Sequence, residues 1–300
     1  MPAQKTPQTN SALHRQLARF NAERLKLGTP SPGWPDELAG EHAHRLLEGR
    51  FLEELRASVQ ATAAGSAGNA DHFVGWFEAL AHTGPGQHHP LFERLAHEAT
   101  LAQMRWFLTQ EAAGEAGFED LLAYTQVKLP PRPKLECARN FWDEMGHGKQ
   151  SAMHGQMLEQ MVRELDLHPA IDTTVWESLA LANTMVGLAT TRRYGYHAIG
   201  ALGVIELTAP GRVKLVAAGM RRLGLGGRAR AYFDLHGALD VSHARAWLRE
   251  VIHPLVEADP ACGQFIAEGA LMRLACGARC FERYAAQLDD ALCAEEAAAC

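Results

Sequence analysis

Features typical of secreted and membrane proteins are scarce in this chain. It has six cysteines in 300 residues, and none of them forms a CxxC pair. No run reaches the roughly 18 apolar residues that a membrane helix requires. The opening residues, MPAQKTPQTN, lack the apolar segment of a signal peptide. We therefore expect reduced thiols rather than a disulfide framework, a cytoplasmic location and no membrane partner.

A strong excess of one charge is also missing. The formal net charge is −6, and acidic and basic residues are mixed along the chain. Nothing in this balance favours a nucleic acid as a partner. Because 47% of the residues are hydrophobic, the chain can bury a sizeable core.

The alternation of apolar and polar residues that marks a half-buried strand is absent, and helical periodicity dominates. We predict a single all-α globular unit at 86–290, an accessory layer of helices at 11–85 and a disordered tail at 1–10. The predicted helices are 11–27, 41–63, 71–82, 91–126, 134–166, 172–198, 211–223, 229–250 and 261–288.

The most informative motif is His236-Gly-Ala-Leu-Asp240-Val-Ser-His243. At about 100° per residue, its two histidines and its aspartate fall within about 60° of one another on a helix. Two imidazoles and a carboxylate on one helical stripe are typical of a transition-metal site. An exposed face with ordinary polar contacts is the alternative.

Three further helical segments carry potential ligands. Glu144 shares a predicted helix face with His147 and His154. Glu206 has apolar neighbours on both sides, and a buried carboxylate needs a metal or an ion pair as a partner. An ion pair with Arg192, Arg193 or Arg212 would meet that need without a metal.

The first carboxylate ligand along the chain can be assigned to either of two residues. Glu111 and Glu115 lie one turn apart on the same predicted helix, and we prefer Glu111. Carboxylates and imidazoles that point inward from facing helices are how helical bundles bind two iron ions.

A ferritin-like arrangement is a competing interpretation. Glu144-x-x-His147 and Glu250-x-x-His253 form two ExxH pairs, which is the pattern of ferritin-like two-iron proteins. Against it, Pro254 follows His253, so that histidine is expected at a helix end. This pattern would also leave the His236 motif unexplained.

Together these motifs resemble a known family. The pattern D-E-x-G-x-G-x5-H, which ends at His154, precedes Glu206 and the H-x3-D-x2-H motif. Over residues 95–285 the chain is similar to the iron-containing redox enzymes of the haem-oxygenase-like diiron oxidase superfamily.

That resemblance implies a haem-oxygenase-like helical bundle and a non-haem diiron site. It implies O2-dependent oxidation, an external electron donor and a role in natural-product biosynthesis, with N-oxygenation of a small amine or amino acid ahead of C–C cleavage. It favours His154 over His147 beside Glu144. The implied metal ligands are Glu111, Glu144, His154, Glu206, His236, Asp240 and His243, with Glu144 and Glu206 also catalytic.

From helix order, we expect Glu111, Glu144 and His154 at one iron, the His236 motif at the other, and Glu206 between them. Arg192, Arg193 and Arg273 are candidate substrate-binding residues because Arg pairs with carboxylates in a bidentate way, with Arg192 and Arg193 preferred. The expected partners are a small-molecule substrate, a reductase and a second copy of the chain. A metal-free enzyme like pyrroloquinoline quinone synthase or thiaminase, and an iron-storage protein, are the alternatives.

Overall fold

A computed structural model describes the backbone of residues 7–115 and 117–299 and the side chains of 8–115, 117–237 and 242–289. No strand occurs in these ranges, so the predicted all-α class is confirmed. Within them, no helix is both long and apolar enough to cross a membrane.

The α-helices follow one another with short connections. They are α1 (Pro7–Leu25), α2 (Trp34–Ala63), α3 (Ala70–Thr83), α4 (Leu91–His97), α5 (Leu101–Gly114), α6 (Phe118–Thr125), α7 (Pro131–Glu144), α8 (His154–Glu164), α9 (Trp176–Thr190), α10 (Gly195–Arg222), α11 (Gly227–Ala246), α12 (His253–Ala258) and α13 (Cys262–Ala299). A π-helical segment, Trp247–Ile252, joins α11 to α12.

The centre of the bundle is formed by α9, α10 and α13. Buried residues run almost without interruption from Ser178 to Ala189, so α9 has no exposed face in this stretch. A helix that is apolar on all sides is stable only inside a core. α10 packs against both α11 and α13, whereas α1 lies against α9 and α2 against α13. The proposed division at residue 85 stays a prediction.

Two glycines let α10 and α13 cross closely. A Cβ atom at Gly200 would lie 1.8 Å from the backbone oxygen of Ile266. On the other helix, a Cβ at Gly269 would lie 2.0 Å from the backbone oxygen of His197. The two backbones therefore approach within a distance that excludes any side chain at either position.

The predicted helix 91–126 is wrong in its length, because it consists of three helices. Thr100 and Gln103 form a capping box that starts α5. Gly117 has φ of 75°, which a continuing helix cannot accommodate, and α6 begins at the next residue. Capping residues inside the segment thus end one helix and start the next.

The predicted helix 134–166 is also interrupted. Gly146, His147 and Gly148 have φ values of 59°, 52° and 80°, so the chain turns sharply after α7. Two short 3₁₀ turns, Gly146–Gly148 and Gln150–Ala152, then lead to α8. Glu144 is the last residue of α7, and His154 is the first residue of α8.

Other boundaries also differ from the sequence prediction, and α2, for example, begins at Trp34 instead of residue 41. α1 begins at Pro7 rather than Ser11, in keeping with the preference of proline for the first helical turn. α10 continues through Pro210, where a break was predicted. Proline has no backbone N–H, so the carbonyl of Glu206, four residues earlier, loses its usual helical donor.

Candidate metal centre

Five of the predicted ligands lie together in the interior, and four helices supply them. Glu144 ends α7, His154 starts α8, Glu206 lies in α10, and His236 and His243 lie in α11. All five are buried, with at most 6% of their surface exposed. Residues up to 99 positions apart in the chain thus converge on one region.

The first group contains Glu144, His154 and His236. Nδ1 of His154 lies 2.7 Å from Oε2 of Glu144 and 3.0 Å from Nε2 of His236. The same Glu144 oxygen lies 3.5 Å from Nε2 of His236. One carboxylate oxygen and two imidazole nitrogens therefore face a common point.

The second group contains Glu144, Glu206 and His243. Nδ1 of His243 lies 3.4 Å from Oε2 of Glu206 and 3.8 Å from Oε1 of Glu144. This nitrogen is buried and has no hydrogen-bond partner of good geometry among the described side chains. Glu144 consequently offers one oxygen to each group, and its carboxylate is shared between them.

The outer nitrogen of each imidazole is held by an oxygen atom. Nε2 of His154 lies 2.8 Å from Oε1 of Glu115, and Nε2 of His243 lies 3.1 Å from Oδ2 of Asp143. Nδ1 of His236 lies 2.8 Å from the backbone oxygen of Tyr232. Metal-binding histidines characteristically have such outer partners, which fix the ring and its tautomer.

Hydrogen bonds also set the protonation of this cluster. Burial alone would raise the pKa of Glu144, but hydrogen bonds from His154 and His236 outweigh it and hold that pKa well below its usual range. Burial would lower the pKa of His243, yet Glu206 and Asp143 raise it to about 9. The buried carboxylates therefore stabilise positive charge at the position where a cation would bind.

Glu115, rather than Glu111, reaches this cluster. Glu115 follows the last residue of α5, and with Glu119 and His154 it forms a third group of potential ligands. Burial raises the pKa of Glu111, and Arg273, Arg212 and a hydrogen bond with Tyr284 offset only part of that rise, so Glu111 faces these residues instead of the ligand groups. The structure does not bring Glu111 into any group of potential ligands among the described residues.

The grouping differs from the one expected from helix order. His236 joins His154 rather than His243, and Glu144 is shared in place of Glu206. His236 and His243 are seven residues apart, which separates them by about 10 Å along the helix axis. They therefore face different neighbours. The side chain of Asp240 lies outside the described residues.

Three other candidates are placed away from the cluster. His147, in the turn after α7, has a side chain that is 65% exposed and pairs with Asp143. His253 lies 3.2 Å from Asp71, and Glu250 bonds Arg132 near the surface. The two ExxH pairs of the ferritin-like alternative therefore do not meet.

The two predicted substrate-binding arginines are exposed. Arg192 donates to the backbone oxygens of Tyr124 and Thr125. Arg193 lies over the ring of Tyr194. Neither lines the cavity beside the ligand groups. They lie in the short connection between α9 and α10, which faces solvent.

A cavity of about 140 Å³ adjoins the ligand groups. Glu144, His154, Glu206 and His236 line it, together with apolar side chains and two arginines, Arg212 and Arg273. An apolar cavity of about 150 Å³ can hold a molecule the size of benzene. The site therefore combines nitrogen and oxygen ligands with room for a small organic molecule.

Comparison with known proteins agrees with this geometry. The family described as iron-containing redox enzyme matches residues 105–278, which is more than half of the chain. The chain belongs to this family, and its haem-oxygenase-like fold is as predicted. All five clustered ligands lie within the matched range.

A solved structure is also similar to this chain. It is a CADD-like protein of unknown function from Nostoc punctiforme PCC 73102, with a TM-score of 0.54 and 16% sequence identity. The alignment covers 73% of this chain and 98% of that one. At this identity the likeness shows a common fold. No curated protein matches the chain significantly.

The residues fit the iron that the family description implies. Each of the two groups that share Glu144 combines carboxylate oxygen with imidazole nitrogen, and iron accepts both. Sequence reasoning named Glu115 only as the alternative to Glu111, and it missed the outer partners Asp143 and Tyr232. The adjacency of Asp143 to Glu144 is the one signal that could have pointed to Asp143.

Replacing Glu115 by Gln is expected to weaken iron binding by about 10–100-fold, because His154 loses the carboxylate that orients its ring. Anaerobic titration with Fe(II) measures this affinity. Glu111→Gln is the matched control, one turn earlier on the same helix. Loss of affinity in Glu111→Gln, with Glu115→Gln unaffected, would restore the preference drawn from the sequence.

Proposed function

We propose that this protein is an O2-dependent non-haem diiron oxidase or oxygenase that acts on a small amine, amino acid or related metabolite. The observation that carries the proposal is the position of Glu144. Its two oxygens face two separate sets of buried ligands, one with His154 and His236 and one with Glu206 and His243. A carboxylate between two metal positions is a recurring feature of diiron carboxylate proteins.

The ligand side chains would be divided between two metal ions. Glu144 would bridge two ions, with His154 and His236 on one side and Glu206 and His243 on the other. Asp240, from the same helical stripe, is the proposed further ligand of the second ion. When bound, a pair of Fe(II) ions supplies electrons to O2, and an external reductase restores them.

The cavity beside the ligands is suited to hold the substrate and to exclude water. Apolar side chains such as Phe118, Met185 and Phe233 line it. Within the proposed class we rank N-oxygenation ahead of oxidative C–C cleavage, following the resemblance of the sequence motifs. Analysis of the products by mass spectrometry distinguishes them, because only N-oxygenation retains all carbons and adds oxygen to nitrogen.

An anaerobic Fe(II) titration followed by exposure to O2 tests the proposal. Wild-type protein is expected to bind two irons per chain and to consume O2 faster with a substrate from a panel of amines and amino acids. His236→Ala is expected to lose one iron. His253→Ala is the control, because His253 contacts Asp71 and belongs to none of the ligand groups among the described residues. This variant should bind two irons.

Other results would point elsewhere. One iron per chain in the wild type would contradict a diiron site. No iron binding would indicate a metal-free enzyme on the same scaffold. Two irons without any O2 consumption across the substrate panel would favour storage.

A further inference from the structure

Two half-buried arginines line the same cavity as the metal ligands. Arg212 lies in α10, and Arg273 lies in α13. Neither is part of a sequence motif that the proposed metal site uses. Cations are rarely placed in an apolar interior unless a partner neutralises them, so their presence calls for an anion.

The hydrogen-bond partners of Arg212 are neutral. Its guanidinium contacts Gln87 Oε1 at 3.5 Å and Thr208 Oγ1 at 3.4 Å. The rings of Phe92 and Phe281 lie 5.8 and 5.3 Å from its central carbon. Burial and the neighbouring Arg273 lower the pKa of Arg212 to about 9, so it stays protonated at neutral pH.

Arg273 has even fewer partners. Its Nε is buried and has no hydrogen-bond partner among the described residues. Its pKa is lowered by burial, and Glu111 is among the groups that partly offset this effect. No salt bridge joins either guanidinium to a carboxylate within the described side chains. Arg273 therefore has an unused donor, Nε, and both arginines line the cavity.

Charge balance indicates what the pair would bind. Glu111 is the carboxylate beside both arginines, so the two guanidinium groups face at most one negative charge there. The other carboxylates of the cavity, Glu115, Glu144 and Glu206, belong to the ligand groups. One further carboxylate at the arginines would neutralise the remaining positive charge and could accept a hydrogen bond from Arg273 Nε. Guanidinium groups match carboxylates well because both are planar and can bond in a bidentate way.

The arginines lie at a distance from the metal ligands. The backbones of Glu206 and Arg212 are about 9 Å apart along the axis of α10, and the guanidinium of Arg212 reaches back to Thr208. Glu111 and Glu115 are four residues apart, about 6 Å, with Glu111 towards the arginines and Glu115 at His154. A carboxylate at the arginines would therefore be held away from the metal.

We infer that Arg212 and Arg273 form a carboxylate subsite that anchors a small carboxylic acid substrate and directs its opposite end to the metal ligands. Only the oxidation of the opposite end of the substrate rests on the proposed function; binding of its carboxylate does not. A chain of five carbon–carbon bonds spans roughly 6 Å, at about 1.2 Å per bond. Six-carbon acids therefore match the separation of about 6 Å between Glu111, beside the arginines, and Glu115, beside His154. The cavity admits a molecule of about this size. In this arrangement the carboxylate binds the arginines, and a different group of the substrate is oxidised.

Calorimetric titration with hexanoate, before and after anaerobic Fe(II) addition, tests the subsite separately from catalysis. Wild-type protein is expected to bind hexanoate, and the neutral isostere hexanamide at least about 30-fold more weakly, because a buried charged pair contributes about 2 kcal/mol or more. Arg273→Gln and Arg212→Gln should each weaken hexanoate binding to a similar extent. The exposed Arg192→Gln is the control and should bind as wild type does.

Hexanamide or hexylamine that binds wild type as tightly as hexanoate would overturn the inference, and this comparison needs no variant to fold. Hexanoate affinity that is unchanged in both arginine variants would overturn it too. If hexanoate binds as expected and Fe(II) does not, the carboxylate subsite stands and the diiron function fails. If two irons bind and hexanoate does not, the diiron site stands and the carboxylate subsite fails.

Discussion

Replacing Glu144 by Gln is expected to abolish binding of both iron ions, whereas His243→Ala should remove only one. Oε2 of Glu144 lies 2.7 Å from His154, and Oε1 lies 3.8 Å from His243, so each oxygen serves a different ligand group. Gln has a similar shape but carries no charge, and its amide nitrogen cannot bind a cation. The affinity should fall by more than the 10–100-fold typical of changes to outer partners.

Iron per chain, measured after anaerobic loading and gel filtration, checks this expectation. His147→Ala is a suitable control, because His147 lies three residues after Glu144 but has an exposed side chain. Wild type and His147→Ala should carry two irons, His243→Ala one and Glu144→Gln fewer than one. A full complement in Glu144→Gln would show that its carboxylate does not bridge, and two independent sites would then be required.

Helical periodicity was sufficient to place His236 and His243 on one side of α11, but not to assign them to separate ligand groups. His236 and His243 lie in one uninterrupted helix, so their relative directions follow from about 100° per residue. Glu206 could be predicted for a different reason: a carboxylate among apolar residues in a helix needs a buried partner. Asn140, on α7, donates to it at 2.8 Å, and His243 approaches its other oxygen.

The same periodicity failed between Glu144 and His154. A helical wheel placed His147 beside them, but the chain there passes through three consecutive residues with positive φ. A non-glycine residue in that conformation, such as His147, cannot be anticipated from helix propensity. The turn exposes His147 and brings His154 back to Glu144 across the end of α7.

Contacts between helices that are far apart in the chain could not be predicted from the sequence. Glu111 and Glu115 are equivalent on an isolated helix, and only the packing of α8 against the end of α5 gives Glu115 the contact with His154. Arg192, Arg193 and Arg273 all looked suitable for a substrate, and Arg212 was considered only as an ion-pair partner of Glu206. Burial separates Arg212 and Arg273 from the exposed Arg192 and Arg193, and it depends on how α10 and α13 pack.

That packing makes Gly200→Ala the substitution with the largest expected effect on stability. The added Cβ would lie 1.8 Å from the backbone oxygen of Ile266. A backbone atom cannot rotate away as a side chain can, so α10 and α13 would have to separate. Overpacking a core usually costs about 1–3 kcal/mol, and we expect the upper end of this range or more.

Gly211→Ala, in the same helix, is the matched control for this change. A Cβ at Gly211 meets nothing within 4 Å, and alanine favours a helix over glycine by about 1 kcal/mol. Urea midpoints should therefore fall in Gly200→Ala and be unchanged or rise in Gly211→Ala. Because Glu206 and Arg212 both lie in α10, a displaced helix should weaken iron and hexanoate binding together. Equal midpoints in Gly200→Ala and wild type would mean that the two backbones do not cross so closely.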